Sequence, residues 1–116
     1  MSDRAGPRRE LERIRDGDGP GSDQARVALS ADAPREQLRA AVLALASARG
    51  ADSSTCPSDA ARAVADDWRP LLPLARDLAT ELARTGEVRL TQGDRSLDPD
   101  GEWRGPIRIR TVRRDG

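Results

Sequence analysis

The order of two periodicities restricts the fold of this chain more than any other feature. Leu38, Ala41, Val42, Leu45 and Ala46 fall on one stripe at helical spacing, and Leu71, Leu74, Ala75, Leu78, Ala79 and Leu82 repeat the pattern further on. A shorter stripe of Ala61, Val64 and Ala65 lies between them. After Gly86 the period drops to two. Val88 and Leu90 alternate with Glu87, Arg89 and Thr91, and Ile107 and Ile109 alternate with Arg108 and Arg110. Three helices followed by two half-buried strands is the order of a winged helix-turn-helix: an α+β fold, mainly α, with a C-terminal β-hairpin wing.

Local punctuation sets the expected boundaries. Asp32-Ala33-Pro34 opens the first helix, with Asp32 offered to an orphan N–H and Pro34 tolerated in the first turn. Arg49 suits the negative end of that helix, and Gly50 supplies its left-handed C′ position. Ser53-Ser54-Thr55 fits the strand stub that winged helices carry between their first two helices. Ser58 is expected to cap a second helix over 59–65, with Asp59 in its first turn. Pro70 and Pro73 both lie in the next apolar run, and a proline at the fourth helical position already costs a hydrogen bond. The third helix is therefore placed at 73–85, with 68–72 as a turn or 3-10 piece. Gly93-Asp94 and Asp98-Pro99-Asp100-Gly101 are turn signals on a long wing.

The first quarter of the chain reads differently. Gly6-Pro7, Gly17 and Gly19-Pro20-Gly21 sit among dense mixed charge, with Leu11 and Ile14 the only larger apolar side chains before residue 25. Residues 1–32 are expected to be a disordered or loosely tethered tail, with at most a helical turn near 8–15 and an extended piece at Val27 and Leu29. Residues 33–113 are expected to form the domain. Its core is lean: 18 alanines, no Phe or Tyr, and only Trp68 and Trp103. Alanine buries little area, so a partner or a second copy in a two-fold dimer is expected to cover apolar surface left on the first helix or the tail.

Charge and chemistry narrow the function classes. Twenty arginines balance twenty Asp and Glu, without Lys or His, so the chain lacks the basic excess that makes nucleic acid the default partner. Residues 69–116 nonetheless carry a net +2 against −2 for residues 1–68. A single cysteine forbids an intrachain disulfide and leaves a structural zinc site short of ligands, so a cytoplasmic setting is expected. No apolar run is long enough to span a membrane, and no signal-peptide core is seen. Cys56 near a helix start has no histidine to act as its base. Asp98 through Glu102 lacks the spacing of a calcium loop. Neither an enzyme nor a bound cofactor or metal is expected.

The remaining candidates are structural or cationic. Cys56 reads as a small buried side chain against the second helix, Trp68 as the largest core side chain, and Pro70 as a fixed local geometry. Arg69 has three readings: a cap on the second helix, a salt bridge to Asp66 or Asp67, or a phosphate contact. In a DNA-binding winged helix, Arg62, Arg69, Arg76 and Thr80 lie on or near the recognition helix, where Arg76 reaches a guanine edge or a phosphate. Arg89, Arg108 and Arg110 are expected to share one sheet face. Three like charges there call for a phosphate backbone or for neutralisation by Asp94, Asp98, Asp100 or Glu102.

From about residue 36 to residue 112 the chain also resembles a small bacterial family known as domain of unknown function 3253. The resemblance rests on Ser54-Thr55-Cys56-Pro57-Ser58 with Ala61-Arg62-Ala63, on Asp67-Trp68-Arg69-Pro70-Leu71, on Val88 through Gly93, and on Asp98-Pro99 and Gly105-Pro106-Ile107-Arg108. Leu72 stands where the family pattern has Met, a swap of similar volume. The resemblance implies a winged-helix-like fold and carries no catalytic or ligand residue to transfer. Two functional readings follow from the residues. One is binding of duplex DNA or another polyanion through the helix at 73–85 and the Arg-rich hairpin. The other is a protein-interaction or adaptor module, with the arginines serving solubility.

Overall fold

The computed structural model describes residues 5–50 and 52–112. Its helices are α1 (Ala5–Asp16), α2 (Ser22–Ser30), α3 (Pro34–Arg49), α4 (Pro57–Val64) and α5 (Leu72–Arg84); a 3-10 turn at Arg69–Leu71 leads into α5. Three strands follow: β1 (Val88–Gln92), β2 (Arg95–Ser96) and β3 (Arg108–Thr111). They form an antiparallel sheet in the order β2-β1-β3, with Leu90 opposite Ile109. Thr55 adds one rung on the far side of β3: its N–H donates to the Ile109 carbonyl at 2.9 Å, and its carbonyl accepts from the Ile109 N–H at 2.8 Å. That rung is the stub expected at 53–55. The architecture is mixed α+β, mainly helical, and consistent with a winged-helix-like fold. It has five α-helices and three strands among the described residues, where three helices and a two-stranded wing were expected.

The two extra helices occupy the stretch expected to be a tail. Residues 1–4 lie outside the described residues, but α1 and α2 pack on the rest of the fold. Leu11 is fully buried, and Ala25 and Ala28 on α2 and Ala40 and Ala44 on α3 are buried with it. Small side chains let helix backbones approach closely, so burial accumulates there without large residues. Gly21, just before α2, shows how close the approach is: a Cβ at that position would lie 2.8 Å from the Ala44 carbonyl oxygen. The expected extended piece is helical too, with Val27 exposed and Leu29 half-buried. α1 and α2 thus cover much of the apolar flank of α3, while Val27 stays exposed and lines an open cleft with Ala40 and Leu43.

The core runs between these helices and the inner sheet face. Leu38, Leu45, Leu78, Leu90, Ile107 and Ile109 are among its larger members, and among the described residues eleven of the twenty-one buried apolar ones are alanines. Helix starts differ from expectation in one consistent way. Proline at the first position, not a side-chain cap, opens α3 and α4: Ala33 and Cys56 are the N-caps, and neither makes a capping hydrogen bond. Ser58 lies inside the first turn of α4, its hydroxyl 3.1 Å from the Cys56 sulfur. Pro73 sits in the first turn of α5, as its missing N–H requires. Among the described residues no helix is long and apolar enough to cross a membrane.

Candidate functional site

The register of β1 against β3 sorts side chains onto two faces. Val88 and Leu90 stand opposite Thr111 and Ile109 and turn toward the helices, while Arg89 faces Arg110 and Thr91 faces Arg108 on the other side. The three arginines therefore do share a face. Two of them lean on the 53–55 segment. Arg108 donates from Nε to the Ser54 hydroxyl at 2.8 Å and from Nη2 to the Ser54 carbonyl at 3.1 Å; Arg110 donates from Nη1 to the Ser53 carbonyl at 3.3 Å. These acceptors are neutral, so they position the guanidiniums without cancelling their charge. Two of the four expected neutralisers on the wing, Asp98 and Asp100, are engaged elsewhere. Asp100 accepts from Arg84 Nε at 2.6 Å, and an Asp98 carboxylate oxygen accepts the Asp100 N–H at 2.9 Å.

Of the other four candidates, Arg62, Arg69 and Thr80 make their contacts elsewhere, and Arg76 lines a cleft with Arg108. Arg62 donates to Asp59 at 2.8 Å and lies 5.7 Å from the Trp68 ring centre. Arg69 stacks on the same ring at 4.6 Å, a cation–π contact that none of its three expected roles named. Trp68 is accordingly half-buried beneath two guanidiniums at the α4–α5 corner and is not the buried wedge expected. Cys56 is likewise only half-buried. Arg76 donates to the Gly105 carbonyl at 3.2 Å and lies 5.1 Å from the centre of the Trp103 ring. Thr80 returns its hydroxyl to the Arg76 carbonyl one turn back, at 2.9 Å. Arg84 and Glu81, paired with Asp100 and Arg35, complete an outer face of α5 that is committed internally.

The most elaborate polar cluster was missed by sequence reasoning. Arg49 grips Glu10 of α1 through two bonds of 2.7 and 3.0 Å, and gives Nη1 to Asp59 at 3.0 Å and to the Ser54 carbonyl at 2.8 Å. Asp59 also accepts from the Thr55 hydroxyl at 3.0 Å and from Arg62. Burial alone would raise the Asp59 carboxyl, yet the bonds from Arg62, Thr55 and Arg49 and the Arg49 charge hold it below the usual carboxylate range. The Glu10 hydrogen bond leads the causes that push Arg49 above its ordinary value. Arg49 carried one legible signal, its place at the end of a helix. Its partners come from three other parts of the chain, which no spacing rule connects.

The family described as protein of unknown function (DUF3253) matches residues 35–112. The chain belongs to this family. No curated protein matches it. The DUF3253 region takes in α3 through β3, and with them the whole cationic sheet face; α1 and α2 precede it. Within it, two blocks distant in sequence meet. Cys56-Pro57-Ser58 and Pro106-Ile107-Arg108, with Leu72 and Arg76, line a cleft of about 220 Å³ beside the sheet.

Proposed function

We propose that this DUF3253 member is a binding module, not an enzyme, and that its exposed sheet face docks a polyanion, with nucleic-acid phosphate as the partner. The observation that supports this reading is the register that sets Arg89 directly opposite Arg110, with Arg108 on the same face. Like charges in cross-strand positions oppose sheet formation. A folded chain that keeps the three there, with Arg108 and Arg110 on neutral acceptors, offers donors to a line of phosphates. The helix at 73–85 contributes less than a recognition helix would, because Arg76 and Thr80 are engaged within the chain. Binding on this reading is through backbone phosphate and largely independent of sequence.

Fluorescence anisotropy of a labelled random duplex across a salt series tests it. Three phosphate contacts give a slope of log affinity against log salt of about −2.7. The double variant Arg108→Glu/Arg110→Glu should abolish binding while its circular dichroism stays native. The adaptor reading has its own support in the committed outer face of α5 and the net charge of +0. Failure to bind any duplex at low salt would transfer the sheet face to an acidic protein partner.

A further inference from the structure

A second site lies away from the sheet face, in the wing. We infer that the cavity between the β1–β2 hairpin and the loop after it seats a nucleobase bearing an exocyclic amino group. The cavity holds about 460 Å³, within the size range of small-ligand sites. Trp103 and Leu97 supply its apolar lining, Arg95 and Arg104 its charged donors, and Asp98 and Glu102 its acceptors.

Its walls are braced. The Trp103 indole N–H donates to the Asp98 carbonyl at 3.2 Å, which fixes the ring, and the Arg76 guanidinium lies over that ring. The Gln92 amide nitrogen ties the loop down through the carbonyls of Arg104 at 2.5 Å and Pro106 at 3.0 Å. Two guanidiniums and two carboxylates cancel formally, so neither a bare phosphate nor a cation is the group drawn in. The complement is a neutral plane that stacks on an indole and offers both donors and acceptors along its edge. Nucleobases have that form. A carboxylate accepts from the amino group of cytosine, adenine or guanine, and a guanidinium donates to cytosine N3 or O2, to adenine N1, or to guanine N3 or O6. Thymine has no amino group to give.

The full chain has two indole N–H groups, so ¹⁵N-labelled protein reports on Trp103 directly, with Trp68→Phe assigning the pair. The probes are cytidine, guanosine and thymidine monophosphates, and single-stranded oligodeoxycytidylate and oligothymidylate. The Trp103 signal should move with cytosine and guanine, at affinities about tenfold above thymine. Glu102→Gln should erase that preference without altering the circular dichroism. Saturation by monophosphates identifies a free nucleotide as the source, and saturation by the oligonucleotide alone identifies a single strand. A Trp103 signal unmoved by every probe, or equal response to thymine, overturns the inference. If an oligonucleotide binds through Arg108 while Trp103 stays still, the base seat falls and the sheet-face reading stands. If Trp103 moves but no duplex binds, the reverse holds.

Discussion

Arg49 and Arg108 donate to the same carbonyl oxygen, that of Ser54, at 2.8 Å from one side and 3.1 Å from the other. One guanidinium belongs to a sheltered ion cluster and the other to the exposed sheet face. The placement of the outer charge therefore depends on the inner network. Arg49→Ala leaves Glu10 and Asp59 without their shared cation and should cost about 3 kcal/mol in urea denaturation. A double-mutant cycle of Arg49→Ala with Arg108→Ala should be non-additive by more than about 0.5 kcal/mol.

Asp59 makes stability depend on acid. A carboxyl held below its unfolded value contributes stability above that value, about 3.9, and loses it as pH falls through the lower folded value. The wild-type urea midpoint should therefore drop between about pH 5 and pH 2. Asp59→Asn should start lower at neutral pH and decline less over the same range. Equal declines would remove Asp59 as a source of the acid sensitivity.

Arg89 and Arg110 predict a trade between stability and binding. Arg89→Glu turns a like-charge cross-strand pair into an opposite one and should raise stability by about 0.5 kcal/mol. The same change should weaken polyanion binding. Thermal denaturation and anisotropy on one preparation check both signs.

Gly21 and Gly50 separate backbone conformation from crowding. Both have positive φ, +87° and +76°, but only Gly21 abuts backbone, with the Ala44 carbonyl 2.8 Å from a would-be Cβ. Gly50→Ala, at a φ/ψ of +76°/174° that glycine alone adopts readily, should cost about 2 kcal/mol from backbone strain, and Gly21→Ala, at the milder +87°/0°, should cost about as much because α2 must also move off α3. Urea titrations of the two variants measure both costs.

Trp68→Ala should cost about 2 kcal/mol, less than the 3–5 kcal/mol of a fully buried aromatic. Its loss removes a half-buried ring and two cation–π contacts and leaves no sealed cavity.

The elements legible in the sequence are those whose apolar residues are large and periodic. The α3 and α5 stripes, the β1 and β3 alternation and the Thr55 stub were all readable, and so was the shared face of Arg89, Arg108 and Arg110. What escaped has a common cause. α1 and α2 bury themselves through Leu11, Ala25, Ala28 and the glycine contact at Gly21, and a tally of large side chains gives such packing no weight. Cap rules favoured Ser58 over Cys56, although Pro57 already fixes the helix start. Arg76 and Thr80 seemed free because helical spacing says which face a residue occupies but not what a distant loop brings to it. The Arg49 cluster joins positions 10, 49, 54 and 59, and exists only once α1 has docked.

The bridge between Thr55 and Ile109 gives the fold a direction in time. β3 lies between β1 and Thr55, yet it is synthesised after every other described element. Until it arrives, the helices and the first hairpin surround an open slot, with β1 offering an unpaired edge and Leu90 missing its cross-strand partner. Closing that slot requires contacts between opposite halves of the chain, the slowest kind to form. A β3 segment from a neighbouring chain has the same shape and the same register. Crowded, half-made copies of this protein therefore have a route to strand exchange that finished ones have closed.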